Sequence, residues 1–443
     1  MMKLAAHWVC LALLIPCSLR AAAAPEPPPG FTALFNGRDL EGWRGGDTHD
    51  PRTLRAMPEA EREALLGAWT QDMQKHWSVQ NGELVNDGQG KYCTTLKSYG
   101  DVELLLDYNM APKGDSGVYL RNAPQVQIWD PTEPDGGKLG REKGSGGLWN
   151  NSPGAPGKDP LVRADRPAGE WNHLRIVMLG ARVSVWLNEQ LVVDHALLEN
   201  YYQPSLPILP SGAICLQTHG APIRWRNLFV REIPGTEANQ ILASKNTEGF
   251  TPLWNGKDLS GWAGALENYE ITAGSIQCRK GKGGTLYHTR ELGDFVARIE
   301  FRLPPGGNNG LAIRYPGSGD TAYVGMCELQ VLDDDYETVT GKPIDPRQTH
   351  GSAYGMVAAA RGYQRPTGEW NFQEVTVRGS TLKVELNGTV ILNADLAKVT
   401  EFNGNKTHPG KDRLRGYFGF AGHNDPVQFR NIAIKGLDAT DKQ

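Results

Sequence analysis

The sequence predicts an all-β protein built from two tandem sandwich domains, with a helical insertion in the first. Three observations point to this class: many turn-forming residues, short strand-like segments, and a long internal repeat. The chain holds 53 Gly and 29 Pro among 443 residues. Gly and Pro favour turns, and turns at this frequency suit many short strands better than long helices.

The internal repeat begins at Gly30 and again at Gly249. GFTALFNGRDLEGW (30–43) and GFTPLWNGKDLSGW (249–262) match at ten of fourteen positions. Further matches follow in the same order, from Ser116-Gly-Val-Tyr-Leu-Arg121 and Asn309-Gly-Leu-Ala-Ile-Arg314 to the Gly-Glu-Trp-Asn segments. Collinear repetition over about 200 residues indicates two copies of one domain. We therefore predict domains at 30–233 and 249–437, joined by a linker at 234–248.

The first copy carries an insertion that the second lacks. Trp43 and Trp77 are 34 residues apart, whereas the equivalent Trp262 and Tyr269 are 7 apart. Within the insertion, 58–76 spaces its apolar residues as an amphipathic helix does. This helix is either a surface elaboration or a lid or docking element, and the sequence leaves both open.

Strand patterns occur throughout both copies. Val102–Tyr108, Leu174–Leu179 and Val183–Leu187 read as strands in the first copy. In the second, Leu382–Leu386 alternates apolar and polar residues, and Asn387-Gly388 forms a hairpin turn before the next strand. Strands this short, with turns at this spacing, favour two packed antiparallel sheets.

The N-terminus has the pattern of an export signal. Lys3 precedes an apolar run at 9–16, and Ala22-Ala23-Ala24 offers a cleavage site. We predict a signal peptide at 1–24 and a periplasmic or secreted mature protein. No later apolar run is long enough to predict a transmembrane segment. The net charge of −4 argues against a nucleic-acid partner, and the oligomeric state stays open.

One polar strand in each copy is a candidate site. Glu328-Leu-Gln-Val-Leu-Asp333 places Glu328 and Gln330 on one face, and Asp333 joins them only through a bulge or at the strand end. The first copy has Gln125, Gln127 and Asp130 at the matching positions. The spacing resembles the E-x-D-x-x-E strand of laminarinase-type jelly-roll glycosidases, with Gln and Asp replacing two of the acids. A polar strand with purely structural hydrogen bonds is the alternative.

Other candidates also recur in both copies. Arg121 and Arg314 end apolar strands and either hold a substrate oxygen or form edge charges. His219 and His423 occupy matching places and suit acid–base chemistry near neutral pH, or are structural. The remaining candidates are the aromatic residues that could stack on a sugar and the glutamine two residues before His219: Trp149, Tyr354 and Gln217.

Together these motifs resemble the 3-keto-disaccharide hydrolase domain family. The resemblance rests on the Gly-Phe-Thr openings, the Ser116–Arg121 segment, the Gln125–Asp130 strand, the Gly-Glu-Trp-Asn segments and Leu216-Gln-Thr-His-Gly220. It covers both copies and implies a concanavalin A-like jelly roll, export, and action on 3-keto-glycosides. The second copy keeps the family's Glu-x-Gln-x-x-Asp strand but has Phe420-Ala-Gly-His423 where the family resembles Leu-Gln-x-His, and the first departs from the strand at Gln125. Each copy thus lacks one part of the pattern, and the sequence leaves open which copy is active.

The implied chemistry needs one base, an oxyanion ligand and a proton donor. A ketone at C3 acidifies the proton on C2, so the aglycone leaves C1 by elimination and water adds afterwards. In the second copy we assign Glu328 as base, His423 as proton donor, and Arg314 and Gln330 as ligands. In the first we assign acid–base work to His219, with Asp130 as a further catalytic candidate. The expected sugar contacts are Arg121, Gln125, Gln127, Trp149, Gln217, Asp333 and Tyr354.

Two other functions compete with this one. A tandem lectin-like protein would bind glycans without turnover, and a conventional glucanase would cleave unoxidised β-glucans. The glucanase needs two suitably spaced carboxylates, which the glutamines at 127 and 330 disfavour. No organic cofactor is expected, and we assign no metal, because the three acids Asp333–Asp335 are more typical of a solvated loop.

Overall fold

The computed structural model describes residues 26–133 and 138–438. The predicted signal peptide at 1–24 lies outside the described residues. Within the described part, no helix has the length and apolar character needed to cross a membrane. The chain forms four antiparallel sheets arranged as two sandwiches, which confirms the predicted fold class.

The first sandwich has a larger sheet in the order β11-β10-β9-β6-β13-β4-β3, with β1 paired to β13, and a five-stranded sheet in the order β2-β5-β12-β7-β8. Its strands are β1 (Thr32–Ala33), β2 (Trp43–Gly46), β3 (Trp77–Gln80), β4 (Glu83–Asn86), β5 (Tyr92–Thr95), β6 (Val102–Met110), β7 (Asp115–Leu120), β8 (Ala123–Trp129), β9 (Asn172–Leu179), β10 (Arg182–Leu187), β11 (Gln190–Leu197), β12 (Cys215–Leu216) and β13 (Ile223–Glu232). Helices α1 (Pro51–Ala56) and α2 (Glu59–His76) follow β2, and a 3₁₀ turn spans Arg141–Lys143.

The second sandwich repeats this topology. Its larger sheet runs β16-β17-β26-β19-β22-β23-β24, with β14 on β26, and its five-stranded sheet runs β15-β18-β25-β20-β21. Its strands are β14 (Thr251–Pro252), β15 (Trp262–Gly264), β16 (Tyr269–Thr272), β17 (Ser275–Cys278), β18 (Gly283–Leu292), β19 (Phe295–Arg302), β20 (Asn308–Tyr315), β21 (Cys327–Leu332), β22 (Asn371–Arg378), β23 (Thr381–Leu386), β24 (Thr389–Asp395), β25 (Gly416–His423) and β26 (Gln428–Gly436). Its helices are α4 (Thr321–Val324) and α5 (Tyr336–Thr340), with 3₁₀ turns at Leu266–Asn268, Pro346–Gln348, Leu396–Lys398 and Asn403–Asn405.

Each core lies between the two sheets of its sandwich. Because side chains alternate along a strand, one face of each strand enters the core and the other faces outward. Trp225 and Leu104 are fully buried in the first core, and Phe295 and Phe420 in the second. The four cysteines of the described residues are buried free thiols, so apolar burial rather than disulfides stabilises each sandwich.

The predicted insertion helix is present as α2 and covers an open sheet edge. β2 is the outermost strand of its sheet, and an uncovered edge invites unwanted pairing. The Thr70 hydroxyl accepts the Gly45 N–H at 3.0 Å, and Trp69 and Met73 are buried. A Cβ on Gly45 would lie 2.1 Å from the Trp69 carbonyl carbon, so only glycine permits this approach. The helix therefore serves the packing of the first sandwich.

The predicted linker contains a helix, α3 (Gly235–Ser244), which packs between the sandwiches. Its Leu242 joins a small apolar cluster with Leu179 of the first sandwich and Phe372 of the second. Nearby, Arg182 donates two hydrogen bonds to Glu385 across the junction, at 2.8 and 2.5 Å. Both side chains are largely buried, so the two sandwiches are fixed to each other by apolar and charged contacts.

Candidate functional site

The candidate site of the second sandwich lies on the outer face of its five-stranded sheet. Leu329 and Val331 of β21 enter the core, and therefore Glu328 and Gln330 point to the opposite face. The register pairs Gly310 of β20 with Gln330, and β25 lies on the other side of β20. Alternation along β25 brings His423 to the same outer face, although 95 residues separate it from Glu328.

Glu328 and His423 form the central pair of this site. The His423 Nε2 atom lies 3.1 Å from the Glu328 Oε1 atom. The Glu328 side chain is 4% exposed, whereas that of His423 is 46% exposed. The hydrogen bond to Glu328 raises the pKa of His423 above its ordinary value, because the carboxylate favours the imidazolium form. The pair thus joins a sheltered carboxylate to a histidine that reaches solvent.

A second hydrogen bond extends the site along the face. The Gln330 Nε2 group donates to the Asn308 Oδ1 atom at 2.9 Å. The Gln330 Oε1 atom is buried and has no hydrogen-bond partner among the described residues. A buried polar atom without a partner is unusual in a folded protein, so Gln330 has unused capacity to accept a hydrogen bond from a substrate hydroxyl.

Gly310 makes room for the carboxylate. A Cβ at this position would lie 2.3 Å from both Cγ and Oε1 of Glu328. The Glu328 side chain therefore lies directly across the β20 backbone. Gly117 has the same place in the first sandwich, where a Cβ would lie 2.6 Å from Oε1 of Gln125. Each glycine fixes the position of the polar side chain on the neighbouring strand.

The first sandwich arranges its polar groups differently. Gln125 donates to Gln127, and the Gln127 Nε2 group donates to the Asp115 Oδ1 atom at 2.8 Å. Asp115 also pairs with Arg141 at 2.7 Å and faces His219 at 3.7 Å. Burial raises the pKa of Asp115, although Arg141 and His219 oppose that effect. The carboxylate beside the histidine is therefore Asp115.

The two sites each have one carboxylate and one amide at two equivalent positions, but in the opposite order. Strand pairing makes Asp115 equivalent to Asn308 and Gln125 equivalent to Glu328. Each sandwich thus has one carboxylate near its histidine, but on a different strand. Sequence reasoning missed Asp115, although it stands directly before the repeated Ser116–Arg121 segment, where Asn308 stands directly before Asn309.

The outer faces also differ in what fills them. The Gln217 Nε2 atom of the first sandwich lies 3.4 Å from the hydroxyls of both Tyr92 and Tyr119. Strand pairing puts Ala312 and Ala421 of the second sandwich at the places of Tyr119 and Gln217. The first face is therefore filled by its own large polar side chains, and Gln217 uses its Nε2 group among them while its buried Oε1 atom has no hydrogen-bond partner among the described residues.

Trp149 and Tyr354 lie at equivalent places beside the polar strands. Isolated bridges join Leu148 to Val126 and Ala353 to Leu329, each just before the aromatic residue. The Trp149 ring packs edge-on against Trp129 with centroids 6.2 Å apart. The Tyr354 hydroxyl accepts a hydrogen bond from Gln348 at 2.8 Å. Both rings are half-buried, as a stacking position requires.

The two predicted arginine ligands require correction. Arg314 is fully buried and donates to the carbonyls of Gly293, Gly379 and Arg413, at 2.9, 2.7 and 2.8 Å, and to Asp294 at 2.7 Å. Arg121 is likewise buried and donates to Asp101 and to two carbonyls. Their guanidinium groups hold the strand ends in place and do not face Glu328 or Gln125.

The aspartates that end the polar strands also have structural roles. Asp333 accepts hydrogen bonds from the Gly306 N–H at 2.7 Å and the Thr367 hydroxyl at 3.0 Å. Asp130 accepts from the Lys113 N–H at 3.0 Å and from the Thr132 hydroxyl at 2.7 Å. Both are buried and hold neighbouring turns, so the structure replaces the predicted catalytic role of Asp130 and the predicted sugar contact of Asp333 with structural roles. Among the described residues, no cluster of three or more His, Cys, Asp and Glu is arranged to hold a metal.

Comparison with known proteins agrees with this repeated architecture. The family model described as a 3-keto-alpha-glucoside-1,2-lyase-like domain matches residues 30–231 and again 249–435. The chain belongs to this family. The resemblance noted from the sequence is thereby confirmed, and both sandwiches are members.

Three similar proteins each cover less than half of the chain. A 3-keto-disaccharide hydrolase from Bacteroides thetaiotaomicron is 24% identical over 249 residues, which are 47% of this chain and 86% of the relative. A glycosyl hydrolase candidate from Parabacteroides distasonis is 23% identical, with a TM-score of 0.38 over 43% of this chain and 95% of its own. The carbohydrate-binding module CBM66 from Bacillus subtilis is 13% identical, with a TM-score of 0.27 over 40% of this chain and 96% of its own. The family and the named hydrolase support a glycosidase-type enzyme that acts on carbohydrates.

Proposed function

We propose that the second sandwich cleaves 3-keto-glycosides by elimination across C1 and C2, followed by addition of water. The observation that carries this proposal is the Glu328–His423 pair, 3.1 Å apart on the outer sheet face. A carboxylate and an imidazolium in contact supply both the base and the acid that this elimination requires. The family and the named relative support the same class of substrate.

In the proposed reaction, the Glu328 carboxylate removes the proton from C2, and the electron pair forms an enolate with the C3 carbonyl. The enolate then reforms the ketone, a C1–C2 double bond forms, and the C1–O bond breaks. His423 gives its proton to the departing oxygen. The proton on Glu328 passes to His423 through their hydrogen bond, which restores both groups, and water adds across the double bond to give the free 3-keto sugar.

The pair suits this reaction for two further reasons. The raised pKa of His423 keeps it protonated to higher pH, so it can act as the acid. The unpaired Gln330 Oε1 atom accepts a hydrogen bond from a sugar hydroxyl and orients the ring. A conventional double-displacement glucanase has less support, since the strand offers Gln330 in place of a second acid and Asp333 is committed to a turn.

We also propose that the chain is exported, because residues 1–24 have the composition of a signal peptide. A 3-keto-glycoside formed outside the cytoplasm would then meet the enzyme there. Cell fractionation tests this location: activity confined to the cytoplasmic fraction would contradict it.

The decisive experiment incubates the purified mature chain in D₂O with a 3-keto-disaccharide and with its unoxidised parent. We expect sugar release from the keto form only, with deuterium at C2 of the released 3-keto sugar, because water replaces the proton lost in elimination. Release without deuterium at C2, after correction for exchange of the free sugar, would contradict elimination. Saturable binding of both sugars without release would identify a tandem sugar-binding protein.

A further inference from the structure

A polar cavity lies beside the Glu328–His423 pair in the second sandwich. It has a volume of about 140 Å³, and about 380 Å³ with its open mouth included. Its lining includes two tyrosines, two amides, a histidine and a lysine: Tyr323, Tyr354, Gln348, Asn403, His408 and Lys406. Aromatic rings with a few polar groups are typical of small-molecule sites.

Two connections place this cavity next to the proposed reaction. On one side, the Tyr354 N–H donates to the Glu328 carbonyl oxygen at 3.0 Å. Tyr354 is therefore a direct backbone neighbour of Glu328. On the other side, Tyr323 belongs to α4, whose Thr321 hydroxyl lies 2.5 Å from that of Thr285 on the outer face of β18. Burial raises the pKa of Tyr354 and the Glu328 carboxylate adds to this effect, so the phenol that lines the cavity and the proposed base lie within electrostatic range of each other.

One side of the cavity wall is aromatic and uncharged. The His408 imidazole lies between the rings of Tyr323 and Phe402, with centroids 4.9 and 5.3 Å away. Burial lowers the pKa of His408, so it is neutral at pH 7. Its Nδ1 atom lies 2.8 Å from the Ala322 carbonyl oxygen, which fixes the ring. His408 thus supports the platform rather than contributing charge.

Lys406 gives the cavity its charge. Its Nζ atom lies 5.4 Å from the centre of the Tyr323 ring, within the range of a cation–π contact. Lys406 takes part in none of the ion pairs among the described residues. Lys406 is exposed, and an ammonium group in the cavity lining without a carboxylate partner is complementary to an anionic ligand.

We propose that this cavity is the leaving-group subsite and that Lys406 selects glycosides whose leaving group carries a carboxylate. The inference rests on the proposed function for its placement, and it adds the substrate class. The tyrosine rings would contact the body of the leaving group, while Lys406 pairs with its carboxylate at the open mouth.

The test uses two matched substrates, the 4-carboxyphenyl and 4-carbamoylphenyl 3-keto-glucosides, which differ in charge and little in shape. Because the carbamoyl group also makes the phenol a better leaving group, the readout is the carboxylate-to-carbamoyl ratio of kcat/KM in the full chain relative to that in Lys406→Met. We expect this ratio to be about two- to five-fold higher in the full chain, the range of an exposed ion pair. Lys398→Met, at an exposed lysine of the same sandwich, is the control and should keep the ratio.

An unchanged ratio of kcat/KM in Lys406→Met would overturn the subsite. Calorimetric binding of the unoxidised 4-carboxyphenyl and 4-carbamoylphenyl glucosides separates this result from failure of the proposed function. Carboxylate-selective binding that Lys406→Met abolishes, together with no cleavage of either keto-glucoside, would support the subsite and contradict the elimination reaction. Absence of that selectivity, with both keto-glucosides cleaved and the same ratio of kcat/KM in Lys406→Met, would do the reverse.

Discussion

Replacing Glu328 with Gln removes the proposed base while leaving the sheet intact. Gln has nearly the shape of Glu, and the first sandwich already holds Gln125 at the equivalent position across Gly117. The fold therefore accommodates an amide here. Since Glu328 accepts the hydrogen bond from His423 at 3.1 Å, the substitution also removes the charge that favours the imidazolium form of His423.

The size of the effect follows from the two roles of the carboxylate. Loss of a positioned general base lowers kcat/KM by roughly 10²–10⁴-fold, which corresponds to about 3–5 kcal/mol of transition-state stabilisation. In the unaltered chain, kcat/KM should fall as pH rises through the raised pKa of His423, because the proton donor is then lost. In Glu328→Gln, the pKa of His423 should shift down toward its ordinary value, 6.5.

The assay follows release of the free sugar from a 3-keto-disaccharide between pH 5 and pH 10, and an NMR titration of His423 reports its pKa. Asp115→Asn is the matched control, since it makes the same carboxylate-to-amide change in the first sandwich. We expect it to keep most of the activity. Nearly full activity in Glu328→Gln, combined with loss in Asp115→Asn, would refute our assignment and move the active site to the first sandwich.

Three further predictions concern the supports of the site and the fold. Gly310→Ala should lower kcat/KM by roughly 10²-fold, because the new Cβ displaces the Glu328 carboxylate. Gly117→Ala, the same change in the first sandwich, should keep the activity. Equal losses of kcat/KM in the two variants would contradict the assignment of the active site to the second sandwich. Arg182→Met should lower the free energy of unfolding by about 3–5 kcal/mol by leaving Glu385 buried without its partner, and urea denaturation should show that Arg182→Met/Glu385→Leu recovers most of the loss. Arg314→Met should lower the melting temperature and leave KM of the folded enzyme unchanged. A raised KM with a normal melting temperature would instead show that Arg314 binds substrate.

The sequence was sufficient to predict the repeated sandwich and the insertion helix. Collinear motifs showed the duplication, and period-two alternation placed Glu328 and Gln330 on one face, as the structure does. The helix predicted at 58–76 is α2, at Glu59–His76. These features depend on local patterns, which a single sequence displays directly. The helix within 234–248 was missed because its few apolar residues pack against both sandwiches rather than one.

The arginines show where alternation fails. Arg314 follows a register shift in β20 and has φ of 48°, and Arg121 has φ of 55° at the end of β7. A left-handed residue breaks the alternation of faces, so the side chain no longer points where residue counting puts it. The guanidinium groups turn instead toward Asp101 and Asp294, each 20 residues earlier in the chain than its arginine.

The sequence by itself determined which residue types each sheet face carries and that the chain does so twice. Only the tertiary structure decided which carboxylate meets which histidine: Glu328 on β21 with His423, but Asp115 on β7 with His219. These partners are 95 and 104 residues apart. Their contact depends on the order of strands in the sheet and on register across it, which non-local packing sets and which no local pattern encodes.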